Sequence, residues 1–460
     1  MIKNAAILCL LAAALAGSAS AQERNVPQGI PHLDHVFIIM MENHGFYQVI
    51  GNPNEPYLNS LIANGKVNLA TNYFAVGHPS LTNYLEIVGG SNFGVRSDNS
   101  PLWHDTTCSP NIVTGVVNAD DDIAFPPTGV PAGTAPVPVD LGGICPIAGF
   151  GTDAATPAID NWNEITLEPS GLQFLYLADL DGVKSVPAAK TNGKTIADQL
   201  AEAGLSWKSY QENLPLIGAD KVNYSNGTVS NLDFDANGNS KLLAPLTSSS
   251  VVQDYAVKHN PFAYFQSVQE GTLRNSSLAN IVGFDGPQGL YSDLKSGNVP
   301  SLAFIAPNQC DDQHGRGNAD AFCAFDFGIS NGLTDGTTQG LNPGLIQQGD
   351  VTIDRLVQAI HASPIWRDSN TAIVIVWDEN DYSGSPTQSS GLFPPPNQNK
   401  VVLTVETSRG PSGVRSGTYY DSYSVLKSME AGFGLPCLNH ACDAGVNVMS
   451  DLFGGGHHGW

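Results

Sequence analysis

Between His35 and Glu42 the chain reads Val36-Phe37-Ile38-Ile39-Met40-Met41, apolar at every position, so an extended segment built from it leaves neither face for water. The same pattern recurs at Ser301 to Ala306, Thr371 to Trp377 and Val401 to Val405. Short runs of this kind, bounded by turn residues, predict strands buried on both faces of a mostly parallel sheet. Between them the period changes to that of a helix. Thr195 to Ala203 sets Ile196, Leu200 and Ala203 at helical spacing and stops at Gly204; Ile353 to Ala362 and Val425 to Gly432 behave alike. Strands alternating with helices predict a doubly wound α/β fold in layers.

Two stretches break the rhythm. Residues 105 to about 190 are rich in Gly, Pro and Asp with little periodicity, and Ser383 to Asn399 is a Ser/Pro/Gly loop; both read as insertions on a single domain spanning 22–460. Residues 1–21 read as a secretory signal: Lys3 supplies the positive end, Ala5 to Ala16 the apolar run, and Ala19-Ser20-Ala21 the small-residue cleavage site. A secreted or periplasmic product is therefore expected. No other apolar run approaches the roughly 18 residues of a spanning helix, so no integral membrane segment is expected.

Composition narrows the partners. With 20 Lys and Arg against 43 Asp and Glu, the net charge is −23, which removes the usual electrostatic drive for nucleic acid or an anionic membrane surface. Once Cys9 leaves with the signal, Cys108, Cys145, Cys310, Cys323, Cys437 and Cys442 remain, an even set suited to disulfides in an oxidising compartment. Sequence neighbours suggest Cys108–Cys145, Cys310–Cys323 and Cys437–Cys442, although spacing alone admits other pairings. Cys437, His440 and Cys442 do not have a zinc-finger spacing.

Polar clusters fall where the strands end. Glu42-Asn43-His44 follows the first strand, Pro307-Asn308 with Asp311, Asp312 and His314 follows the second, and Asp378-Glu379-Asn380-Asp381 follows the third. Ligands of open α/β sheets collect beyond the carboxyl ends of parallel strands, and oxygen donors from separate loops can converge there on one divalent cation. A further segment, from Asn72 to Leu85, reads as an extended stretch turning into a helix at Pro79. Ser80 then stands at a helix N-terminus, where unpaired N–H groups favour an alkoxide or a phosphate, and Asn83 follows on the same face with an amide able to donate to the same oxyanion. The chain has no Gly-x-Ser-x-Gly elbow, no Walker A loop and no His-Glu-x-x-His.

The set formed by Glu42-Asn43-His44, His78-Pro79-Ser80-Leu81-Thr82-Asn83-Tyr84 and Asp378-Glu379-Asn380 resembles the bacterial and fungal phosphoesterase family that contains acid phosphatases and phospholipases C of the non-haemolytic type. Thr195 to Leu200, Gly204 to Glu212, Lys258-His259-Asn260-Pro261-Phe262, Ala306 to His314 and Tyr423 to Pro436 extend the likeness over nearly the whole chain. It implies an alkaline-phosphatase-like layered sandwich and hydrolysis of phosphate esters at a metal-bound nucleophile. By position, Glu42, Asn43, Ser80, Asp378 and Glu379 correspond to the metal set, Ser80 to the nucleophile, and His259, Asp312 and His314 to phosphate and leaving-group handling. The expected activity is a secreted, metal-dependent phosphomonoesterase acting through a Ser80 phosphoenzyme, on a small phosphorylated compound, a phospholipid or a phosphoinositide. A phospholipase C-like phosphodiesterase and a non-catalytic metal-binding protein are the alternatives. The identity of the divalent metal ion is left open.

Overall fold

A strand with no polar side chain must be covered on both sides, and the centre of the molecule is built to do that. The computed structural model describes residues 26–95, 97–102, 144–156, 182–214, 254–315, 322–324, 326, 337–381 and 399–454, with four short strands at 165–167, 173–175, 232–234 and 240–242. The main sheet has eight strands: β1 (His35–Met41), β2 (Asn68–Ala70), β3 (Trp207–Gln211), β4 (Ile281–Val282), β5 (Leu302–Ala306), β6 (Thr371–Trp377), β7 (Leu403–Thr407) and β8 (Arg415–Ser416). They lie in the order β4-β3-β5-β1-β6-β7-β2-β8. Every neighbouring pair is parallel except the two that involve β7, so β7 alone runs against the rest.

The α/β layer fold and the mostly parallel sheet are as the apolar runs predict. The run at Val401 to Val405 becomes β7, shifted two residues along and antiparallel, because an apolar pattern reports burial and carries no direction. Val36 to Met41 of β1 and all of β6 are fully buried between β5 and β7. Each large side chain so buried contributes about 1.5–3 kcal/mol to holding the strands that carry the site.

Helices close both faces. Ser80–Gly89 (α1) packs with Ile196–Glu202 (α2) and Ser422–Phe433 (α4), whereas Pro343–Ala362 (α3) packs with the helices at Pro56–Ala63, Leu290–Ser296 and Pro364–Asp368. Periodicity locates α3 only from Ile353. It begins ten residues earlier because Asn342 Oδ1 accepts from the N–H groups of Gly344 and Leu345, and Pro343 fits the first helical position. In α2, Thr195 and Asp198 form a reciprocal cap. Helix α4 stops where Gly434 turns left-handed at φ +68.

Cys310–Cys323 and Cys437–Cys442 are disulfides, the latter excluding Cys437, His440 and Cys442 as a zinc set. Cys145 is also disulfide-bonded, while its expected partner Cys108 lies outside the described residues. The signal segment at 1–21 and most of the stretches at 105–190 and 383–399 lie outside them too. Among the described residues no helix is long and apolar enough to cross a membrane.

Candidate active site

β1 lies between β5 and β6, so the carboxyl ends of all three open side by side. Backbone bonds stitch them together: Asp378 N–H donates to Met41 O at 3.0 Å and Glu42 N–H to Asp312 O at 2.8 Å. Asn43 turns into the left-handed region at φ +49, a conformation asparagine tolerates, and its N–H donates to Asp378 Oδ1 at 3.0 Å. Gln313 is left-handed as well, at φ +80, held by bonds from its side chain to Glu55 and Ile346 and from Trp377. These turns divide each polar cluster. Glu42 and Asn43 face the site while His44 turns away to Asp326 at 2.9 Å. Asp312 and His314 face it while Asp311 joins Arg355 and Gln348. Asp378 and Glu379 face it while Asp381 accepts from Gln48.

Ser80 is the first residue of α1 and points into this meeting of strand ends. Its Oγ lies 3.0 Å from Glu379 Oε1, 3.1 Å from Glu42 Oε2 and 3.5 Å from Asn43 Oδ1. A hydroxyl has a single proton and cannot donate to three acceptors at once, so these oxygens crowd without enough hydrogens between them. Tyr84, four residues on and on the same face of α1, donates to Glu42 Oε1. Asn83 is on that face also, but its amide is engaged locally. Nδ2 donates to Gly77 O and Glu379 Oε2, and Oδ1 accepts from the N–H groups of Val76 and Gly77. The side chain braces the turn before Ser80, which differs from the expected oxyanion donor.

The histidines and a lysine complete the ring. His259 sits between two carboxylates, Nε2 at 3.1 Å from Glu42 Oε1 and Nδ1 at 3.2 Å from Asp312 Oδ2, with Tyr84 stacked on its ring. His314 Nδ1 lies 2.9 Å from Gly315 O, which places the proton there and leaves Nε2 to accept from Lys258 Nζ at 3.1 Å. Lys258 also donates to Ser80 Oγ at 3.3 Å and to Asp98 Oδ2 at 3.0 Å. His78 Nδ1 meets Glu379 Oε2 at 2.8 Å.

The electrostatics are those of a site short of positive charge. Burial, and then the charge of Asp378, push the Glu42 carboxyl well up; burial and then Glu379 do the same to Asp378; burial and then Glu42 to Asp312. Burial pulls Lys258 down, but Asp98, Glu42 and Glu379 outweigh it and the ammonium is held firmly charged. Asp378 Oδ2 is buried and meets no hydrogen-bond donor. Oxygens of Glu42, Asn43 and Glu379 within 3.0–3.5 Å of Ser80 Oγ are what a small divalent ion gathers, and the orphaned Asp378 Oδ2 is a further anionic oxygen in want of a positive partner, so this donor set fits a cation. A second grouping overlaps it: Glu42, His259 and His314 bring ligand atoms within 4.8 Å of one another.

Glu42, Asn43, Ser80, Asn83, His259, Asp312, His314, Asp378 and Glu379 lie in this one region, while His44, Asp311 and Asp381 of the same clusters face elsewhere. Lys258, Tyr84, Asp98 and His78 are the additions. Tyr84 was detectable as the next residue on the Ser80 face of the helix. Lys258 lies in the segment around His259 that carries the family likeness, whereas nothing in the sequence around Asp98 marks it as part of a site; only the fold sets both beside Ser80.

A family model described as "Phosphoesterase family" matches residues 53–323, a stretch that includes Ser80, Asn83, His259, Asp312 and His314 and leaves Glu42-Asn43 and Asp378-Glu379 on either side. The acid phosphatase of Aspergillus fumigatus is 25% identical over 59% of this chain and 45% of its own length. The chain thus spans about half the length of the fungal relatives it matches. The phosphatidylinositol-3-phosphatase of Mycobacterium tuberculosis is 23% identical over 98% of this chain and 93% of its own. Among solved structures, a Vibrio parahaemolyticus protein of the alkaline phosphatase superfamily covers 89% of this chain and 68% of its own, with 10% identity and a TM-score of 0.39.

Proposed function

The chain belongs to the Phosphoesterase family, and from that premise and the surroundings of Ser80 we propose that it is a metal-dependent phosphomonoesterase whose nucleophile is Ser80. The observation that carries this is the position of Ser80 Oγ within 3.0–3.5 Å of Glu379, Glu42 and Asn43, at a helix N-terminus and beside a lysine. Glu42, Asn43, Asp378 and Glu379 would hold a divalent cation together with Ser80. When bound, the cation supplies charge neutralisation for the phosphoryl oxygens and a lower pKa for the serine hydroxyl.

The protein's own groups carry the rest. Ser80 Oγ attacks phosphorus in line, its proton passing to a neighbouring carboxylate, and the bond from phosphorus to the leaving oxygen breaks. The carboxyl group that took the serine proton returns it to the leaving oxygen, while His314 Nε2, which faces Lys258 instead of a carboxylate, accepts from the ammonium and helps hold it beside the reacting phosphoryl group. Water then attacks the phosphoseryl group, releasing phosphate and restoring the hydroxyl. His259 keeps Glu42 and Asp312 in place, and Asn83 and His78 orient Glu379. The alignment with the Mycobacterium tuberculosis protein over nearly the whole chain supports a phosphoinositide among the esters to be tested. The disulfides, and the expected signal at residues 1–21, support export.

Ser80→Ala tests the assignment. Turnover of p-nitrophenyl phosphate should fall by about 10⁴-fold or more while the thermal melt is unchanged. Metal analysis before and after chelation should show loss of a divalent ion alongside loss of activity. Near-normal turnover by folded Ser80→Ala protein would refute the nucleophile.

A further inference from the structure

Lys258 stands out among the groups around Ser80. Glu42, Asp378, Glu379 and His259 are sealed from solvent, whereas Lys258 keeps 13% of its side chain exposed and Asp98 keeps 30%. His314 is also partly exposed. Ser80 itself is buried, so the least covered groups around it are Lys258, Asp98 and His314, and a phosphoryl group arriving from that side meets Lys258 first.

The lysine is held for that position. Val257–His259 is a short 3-10 turn that fixes His259 against Glu42 and Asp312, which aims the preceding side chain at Ser80. Asp98 grips it at 3.0 Å with one oxygen, and with the other accepts the N–H of Leu81, at 3.0 Å, in the first turn of α1. One carboxylate thus ties the ammonium to the helix that carries the nucleophile. The other two donors of Lys258 rest on neutral acceptors, Ser80 Oγ and His314 Nε2. Those contacts can be exchanged for phosphoryl oxygens without breaking the Asp98 pair.

We propose that Lys258, anchored by Asp98, determines the ester class by reading the second negative charge of a phosphate monoester. This rests on the reading of Ser80 as a phosphoesterase nucleophile. A monoester dianion presents one more anionic oxygen than a diester. A fixed ammonium on the open side favours the dianion twice, through the added charge and through an oxygen that carries no substituent to clash with it.

The experiment compares wild type, Lys258→Met, Lys258→Gln, Lys258→Arg and Asp98→Asn. It measures kcat/KM on p-nitrophenyl phosphate and on bis(p-nitrophenyl) phosphate, and binding of inorganic phosphate by calorimetry above and below its second pKa. Lys258→Met should lower monoester kcat/KM by about 10²-fold or more and diester kcat/KM by less than about 10-fold. It should also abolish the preference for dianionic over monoanionic phosphate. Lys258→Arg should retain most of the selectivity, and Asp98→Asn should shift it partway. Lys258→Gln serves if the Met variant fails to fold. Equal losses on both esters with phosphate binding unchanged would overturn the proposal, leaving Lys258 as a support for His314. Wild type that hydrolyses neither ester would sink the hydrolase reading and with it any role in ester choice, and dianion binding lost in Lys258→Met would then leave Lys258 as a phosphate-binding group only.

Discussion

Two buried clusters of histidine and carboxylate lie at opposite ends of α1, and they are built on different terms. At the C-terminal end His440 bridges Asp153 and Asp443, each at 2.8 Å, and Asp153 also accepts from Ser91 and from the N–H of Ala189. Donors and acceptors match, and the Cys437–Cys442 disulfide brackets the histidine. At the N-terminal end carboxylates press on one another around Ser80, one hydroxyl faces more oxygens than it has protons, and Asp378 Oδ2 meets no donor. A matched network needs nothing more and serves the fold, here by fastening residues 144–156 to the C-terminal segment. A mismatched one is tolerable only if another charge can come and go, which is the mark of a site. Histidine and carboxylate content alone would not have separated the two.

The comparison breaks most readily at Asp378. Asp378→Asn should reduce phosphatase turnover about 10³-fold and strip the divalent ion. In chelator, however, it should leave the melting temperature unchanged or higher, because a buried like charge has been removed. A fall in stability under chelation would show that Asp378 is structural, as Asp153 is. Asp153→Asn should do the reverse, costing about 3 kcal/mol in urea unfolding with or without metal while kcat of the folded protein stays near wild type. Lost turnover in that variant would erase the distinction between the clusters.

A smaller effect follows from His440. Burial pulls its pKa down, but the hydrogen bonds to Asp153 and Asp443 win and push it up to about 9. Its unfolded value is roughly 6.5, so the stabilisation is fully present below that pH and is lost as pH rises through about 9. Wild type and His440→Gln should therefore differ by about 2 kcal/mol at pH 6 and converge near pH 10 in denaturant titrations. A gap that widens with pH would mean that the imidazolium is not what holds the network together.

Much of the scaffold was legible from the chain. Residues 35–41 and 371–377 have the bounds of β1 and β6, since a continuous apolar run has only one way to be buried. The acidic turns after them could be assigned to the mouth of a parallel sheet for the same reason. The start of α3 was hidden because its signal is the Asn342-Pro343 cap and not its periodicity.

Local chemistry determined that Ser80 would open a helix, that Tyr84 would share its face, and that Glu42, Asn43, Asp378 and Glu379 would lie beyond strand ends. Only the tertiary structure decided which member of each cluster turns inward, that the Asn83 amide is spent bracing Gly77 and Glu379, and that Lys258 and Asp98 stand over the nucleophile. The reason is physical. Side-chain periodicity is a property of neighbouring residues, whereas Lys258 lies 178 positions from Ser80, a separation bridged by packing alone.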